Sequence, residues 1–220
     1  MELTEGIRTR TSVRGFKSTP VPQDLVRQLL DLSRCSPSFH NTQPWELSVV
    51  SGAMRDQVSK TLFDLAAAGV PSSSDVSAPV HWPAANERHA SEHSARRFRT
   101  LGIARDDSAG RNSFRLMNYQ LFGAPCVLFL WLDRTLSEWS TFDLGLFTQT
   151  LALAAHGLGL GACPQASLAH YPDAVRELLG VPQSKRLMLG ISLGYPDPSA
   201  KLNGYRSERA EVDEFVRWHP

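Results

Sequence analysis

Three arginines and three hydroxyl side chains crowd into one short run near the start of the chain, Arg8-Thr-Arg-Thr-Ser-Val-Arg-Gly-Phe16. Guanidinium forks and hydroxyls suit phosphate oxygens and a polyol, because hydrogen bonds to charged groups are the strong ones. A solvated surface strip is the plain alternative for such a run. A second donor-rich stretch follows, Ser36-Pro-Ser-Phe-His-Asn-Thr-Gln-Pro-Trp45. Each proline pushes the residue before it out of αR geometry, so Ser36 and Gln43 are predicted to be extended or turning. Asn41 stands where it either caps a turn or offers its amide to a ligand. A loop of this kind, set between a helix and a strand, can line a planar heteroaromatic ring. The alternative is a simple connector with Trp45 in the core.

Other reactive residue types carry weaker patterns. His40 titrates near neutrality and could donate a proton to an acceptor, although a structural hydrogen bond is the commoner role for a lone loop histidine. His81, His89 and His93 include an i, i+4 pair but no third fixed ligand, so a solvated face is expected and no metal site. Cys35, Cys126 and Cys163 are odd in number and contain no Cys-x-x-Cys, which suggests neither a disulfide framework nor a zinc site. Cys163 reads as small buried packing. Trp131, Trp139 and Phe142 read as core or subunit packing. Asp143 is a first-turn helix residue, an ion-pair partner or an interface contact.

The elements that must position these residues alternate along the chain. Apolar periodicity predicts helices near 22–34, 52–68, 86–101, 108–121, 141–158 and 171–179, and strands near 45–51, 125–132, 160–164 and 186–194. Gly157, Gly159 and Gly161 end the helical pattern after Ala155. Val70–Pro83 is the one linker-like stretch, and Asn86–Arg115 is rich in Arg and His and poor in large apolar residues, as expected of a cover that buries little. At 220 residues, 42% hydrophobic and 20% charged, the chain has enough material for one sizeable core. A formal charge of +1 argues against a nucleic-acid or acidic-membrane surface. Ala124–Leu132 is too short to cross a bilayer, and Met1-Glu-Leu-Thr-Glu-Gly lacks a secretory pattern, so a cytoplasmic protein is expected.

Taken together, the segments resemble the nitroreductase family. Arg10, Ser12, Arg14, Phe16 and Pro20-Val21 match its opening pattern, and Pro37-Ser38, Asn41 and Gln43-Pro44-Trp45 match the loop that runs into its first long strand. Leu151–Gln165, Gly194-Tyr195-Pro196, Asn203-Gly-Tyr-Arg206-Ser-Glu-Arg209 and Val212-Asp-Glu-Phe215 extend the likeness over nearly the whole chain. Cys163-Pro164-Gln165 is most similar to members that reduce nitrobenzoate-like compounds. The resemblance implies an α+β fold with a mixed central sheet wrapped by helices, one domain over 1–220 with 84–121 as a helical cover, and an intertwined homodimer with two flavin sites.

The resemblance also implies roles. Arg10, Thr11, Ser12 and Arg14 would hold the phosphate, ribityl chain and pyrimidine edge of FMN, with Arg206 or Arg209 completing the phosphate site. Pro37, Ser38, Phe39 and Asn41 would come from the partner subunit, and Pro164, Gln165, Ala166 and Ser167 would lie on the ring's other side. NADH or NADPH would donate a hydride, and a nitroaromatic compound would accept two electrons, passing from nitro to nitroso to hydroxylamine. Cations in Arg88–Arg115 would favour acceptors that carry a carboxylate. Quinone or free-flavin reduction, oxidation of a pathway intermediate, and non-enzymatic flavin binding stand as alternatives.

Overall fold

Eight residues in succession, Cys126–Asp133, form β2, and all but the last are buried. A strand apolar on both sides must be covered on both sides, and the fold is arranged around this requirement. A computed structural model describes residues 2–219. In it, β2 pairs with β1 (Glu46–Ser51) on one side and β4 (Lys185–Gly194) on the other, and β3 (Gly161–Gln165) lies outside β4. All three pairings are antiparallel, with Val49 opposite Leu128 and Leu128 opposite Ile191. The one parallel component is an isolated bridge between Ser12 and Ala162.

The alternation of β2 sorts the core into two. Leu128 and Leu130 pack with Ile191, with Val26 and Leu29 of α2 (Gln23–Ser33), and with Phe147 and Leu151 of α6 (Glu138–Gly157). Val127, Phe129 and Trp131 point the other way, toward Val58 and Leu62 of α3 (Gly52–Ala67) and Val175 of α7 (Pro172–Leu179). In α2 the buried residues Val26, Leu29 and Ser33 recur at helical spacing, which is why periodicity found it.

Two helices, α4 (Ala84–Leu101) and α5 (Ser108–Met117), bury one residue each, Phe98 and Phe114. Those two rings meet edge to face, 5.6 Å between centroids. The stretch before α4 is irregular but pinned. The Asp75 carboxylate accepts hydrogen bonds from the Arg176 guanidinium, from Arg134 Nη2 at 2.5 Å and from the Leu187 backbone N–H at 2.8 Å.

Several boundaries differ from the sequence expectation. The first helix, α1 (Leu3–Thr9), was not foreseen, because it buries only Gly6 and so carries no apolar stripe. The short α8 (Val212–Phe215) buries nothing and was missed for the same reason. The helix expected over 108–121 stops at Met117. Leu121 and Phe122 are buried with φ of 59° and 53°, so core packing turns the chain out of the helix and into β2. α6 begins at Glu138 rather than 141, which places Asp143 in its second turn rather than its first. Among the described residues no helix is long and apolar enough to cross a membrane.

Candidate functional site

The Arg-rich run lies along β3. The Val13 N–H donates to the Ala162 carbonyl at 3.1 Å, and Phe16 bridges to Pro196. Two glycines permit this approach. A Cβ on Gly161 would stand 2.6 Å from Val13 Cγ2, and one on Gly15 would stand 2.2 Å from Ala200 Cβ. Asn203 then clamps the run from the C-terminal side. Its Oδ1 accepts the Arg14 N–H at 2.8 Å, and its Nδ2 donates to the carbonyls of Gly15 at 2.7 Å and Asp197 at 2.8 Å.

This arrangement gathers cations. Burial lowers the pKa of Arg10, and the charge of Arg209 lowers it further. Arg97 of α4 is lowered by burial first and then by Arg14. His93 is depressed by burial and next by the charges of Arg97, Arg14 and Arg209. Among the described residues Arg10, Arg14, Arg97 and Arg209 make no ion pair with a carboxylate. The Arg97 Nε is buried without a hydrogen-bond partner, and its guanidinium lies 5.5 and 4.9 Å from the ring centroids of Phe98 and Phe114. Like charges held together without carboxylates are the electrostatic mark of an anion site. Arg206 takes no part in the cluster: it is exposed and folded onto its own turn, donating to the carbonyls of Asn203 and Tyr205.

Beside the cluster lies a cavity of about 410 Å³, lined by Arg14, Arg97, Phe98, Phe114 and the segment Cys163–Ser167. Pro164, Gln165, Ala166 and Ser167 therefore sit where the sequence placed them relative to Arg14. The Gln165 amide is spoken for: its Nε2 donates to the Asn118 carbonyl at 3.0 Å, and its Oε1 accepts from Ser192 Oγ at 2.5 Å. Burial pushes the Cys163 thiol up to about 11, against the opposing pull of Arg14, Arg10 and Arg97. It is a protonated packing group at neutral pH. Thr11 and Ser12 are half-buried on the same run.

The loop containing Pro37, Ser38, Phe39 and Asn41 is not part of this cavity. His40, Asn41 and Gln43 hold φ of 48°, 57° and 47°, a left-handed path that non-glycine residues adopt at a cost. Buried Asp143 stabilises it: both carboxylate oxygens accept the Phe39 N–H at 3.1 Å. Ser38 Oγ accepts the Gln43 N–H at 3.0 Å, and Phe39 stacks on Trp139 at 5.7 Å. Asp143 is thus a loop anchor rather than a member of an ion pair. Trp139 and Phe142 are 60% and 62% exposed in the single chain, so only Trp131 of that trio is core. His40 is exposed and edge-on to Phe39, and nothing else of the cavity is near it.

The separation follows from α6. Phe39 is tied to Asp143 near its start, while Thr9, next to Arg10, hydrogen-bonds His156 near its end at 2.9 Å. Thirteen residues of helix span about 20 Å. Within one chain, then, the Arg run, Cys163–Ser167 and Arg209 converge, and the 37–41 loop stands apart. Sequence reasoning missed Arg97 and Asn203 as individuals. The available signals were the flanking of the one buried apolar residue of α4, Phe98, and the Asn-Gly turn pair at 203–204.

The profile of the nitroreductase family matches residues 7–195. The chain is 35% identical to nitroreductase NfnB of Mycolicibacterium smegmatis over 96% of its own length and 90% of that protein. It is 33% identical to a 4-nitrobenzoate reductase of Pseudomonas putida, over 96% and 93% respectively. The crystal structure of FMN-dependent NfnB from Mycobacterium smegmatis in complex with NADPH superposes with a TM-score of 0.93 at 32% identity, covering all of both chains. On matched residues, fold and site layout alike, the chain belongs to the nitroreductase family.

Proposed function

We propose that the chain is an FMN-dependent oxidoreductase that uses NAD(P)H to reduce nitroaromatic compounds, two electrons at a time, from nitro to nitroso to hydroxylamine. The observation that carries this reading is the cluster of Arg10, Arg14, Arg97 and Arg209 beside the cavity at Cys163–Ser167. FMN fits it in kind. A phosphate suits Arg10 and Arg209, the ribityl hydroxyls suit Thr11 and Ser12, and the buried orphan Nε of Arg97 wants an acceptor such as the polar edge of the ring. When bound, the flavin supplies the atom that accepts and gives up hydride. The chain's own residues bind, orient and exclude water. Arg14 and Arg97 provide fixed positive charge where negative charge grows on reduction. No side-chain acid or base is required of Cys163 or Gln165, whose proton and amide are committed as described.

The active unit in this reading is a cytoplasmic homodimer of a single domain spanning 1–220, with α4 and α5 as its cover. Dimerisation is supported by the aromatic face of α6 that the chain leaves uncovered and by the anchored loop that one chain cannot bring to its own cavity. In the dimer Pro37, Ser38, Phe39 and Asn41 complete the site of the other subunit. Three free thiols fit a reducing compartment. The test is direct. The purified protein should be yellow, release FMN by mass analysis, bleach on addition of NADPH or NADH, and turn over 4-nitrobenzoate faster than quinones. FAD as the chromophore, or a colourless protein that stays inactive with added FMN, would overturn the reading.

A further inference from the structure

A groove of about 800 Å³ opens off the site cavity and shares Ser94, Phe98 and Arg111 with it. Its far wall is the turn between α4 and α5. Gly102 ends α4 in the left-handed conformation, at φ 72°, and so folds the turn back until Arg99 and Arg105 face the same groove as Arg111. Arg111 is preset there. Its Nε donates to the Ala104 carbonyl at 3.2 Å, and its guanidinium lies 4.3 Å from the Phe98 ring centroid. Among the described residues none of the three arginines is in an ion pair. Glu92, the carboxylate in the groove wall, is already bound to Arg96 at 2.9 Å. Asp107, on the same turn, is spent on capping α5 through the Gly110 N–H at 2.8 Å.

We infer that this groove is the subsite for the phosphate carried on the adenosine ribose of the electron donor, which makes NADPH the preferred donor over NADH. The inference rests on the nitroreductase reading above and adds to it a donor and a place. A cavity of about 410 Å³ is at the small end for one drug-sized ligand. A dinucleotide whose nicotinamide enters it must lay its adenosine half outside, and the groove is contiguous. A phosphate monoester carries a charge of roughly −1.5 to −2 at neutral pH, and guanidinium forks match its oxygens. Exposed single charges are screened by salt, but three converging guanidiniums act together. NADH offers the same groove an uncharged hydroxyl and gains none of this.

Steady-state efficiencies with NADPH and NADH test the inference on the FMN-loaded enzyme, alongside calorimetric titration with adenosine 2′,5′-bisphosphate and with AMP. Wild-type kcat/KM should favour NADPH by about tenfold or more. The R99Q/R105Q variant, altered at two exposed side chains, should lose about tenfold more efficiency with NADPH than with NADH, chiefly through KM. The bisphosphate should bind wild type more tightly than AMP does, and the variant should erase that difference. Equal wild-type use of both donors, equal losses in the variant, or bisphosphate affinity indifferent to the substitutions would each overturn the inference while leaving the nitroreductase reading in place. Bleaching by neither nucleotide would overturn the reading itself, and the inference with it.

Discussion

Burial and the neighbouring Arg209 both work against the charge on Arg10, so the folded chain holds a cation there at an electrostatic cost that a bound phosphate removes. Arg10→Ala should weaken FMN retention by about 1.5–3 kcal/mol, the range for a hydrogen bond to a charged group. Fluorescence titration of the apoprotein with FMN checks this, and an unaltered Kd would take Arg10 out of the site. The residue types of this run and their spacing were legible in the sequence. So was the segment 164–167. Arg97 was not, because α4 carries four arginines and only the packing of Phe98 decides which of them turns inward. Asn203 was legible as a turn residue but not as a clamp, since its partners Arg14 and Gly15 lie nearly the whole chain away.

The loop between α2 and β1 shows the same limit for an element. Two prolines and a cluster of small polar residues announced a turn, yet three left-handed residues in succession were beyond local rules, and so was the carboxylate that holds them. Removing that carboxylate leaves the Phe39 N–H without its acceptor. Asp143→Ala should therefore cost about 1.5–3 kcal/mol. That corresponds to a drop in Tm of roughly 3–12 °C for a chain of this size. Asp143→Asn keeps an acceptor oxygen and should lose less. A Tm unmoved by Asp143→Ala would show that the loop holds its path without it. The strands were all found within a residue or so, because β1 to β4 carry continuous or alternating apolar runs that only burial explains. The helices that failed, α1 and α8, lack such a stripe.

For the whole molecule, the titrating groups set a shape for stability against pH. His93 and His170 have pKa values lowered below their ordinary 6.5, in both cases mainly by burial. The unfolded chain therefore takes up protons near pH 6.5 that the folded chain refuses, and stability falls as pH drops through that value. Asp133 is held far below its ordinary 3.8 by hydrogen bonds from Thr135 and Lys185, and Asp173 is lowered mainly by Gln183. Their contribution is present above pH 4 and is lost on acidification below it. Tm should be flat above pH 7, decline once through the mid-sixes and again below 4. The double variant His93→Gln/His170→Gln should remove the first step, and retention of that step would exclude these two residues as its source. Assembly belongs to this scale too. Trp139 and Phe142 read equally well as core or subunit packing in sequence, because periodicity marks a helix face as buried without saying by which chain. If a second copy completes each site, flavin content and dimer content should rise together. A flavin-loaded monomer seen by light scattering would break that link.

The single anchor at Asp75 has a consequence for how the chain behaves when it is severed. Everything from Val76 to Pro83 is exposed, whereas the residues before it are tethered through Arg176, Arg134 and Leu187. Thermolysin should cut first at Val76 or Val80, where the backbone is free to enter a protease cleft. The nick would divide β1 and α3 from β2 and all that follows. The β1–β2 ladder runs from Glu46 opposite Trp131 to Ser51 opposite Cys126, and the α3 side of the core spans the same divide. The two pieces should co-elute on size exclusion until denaturant parts them, and Asp75→Ala should let cleavage spread back toward Val70.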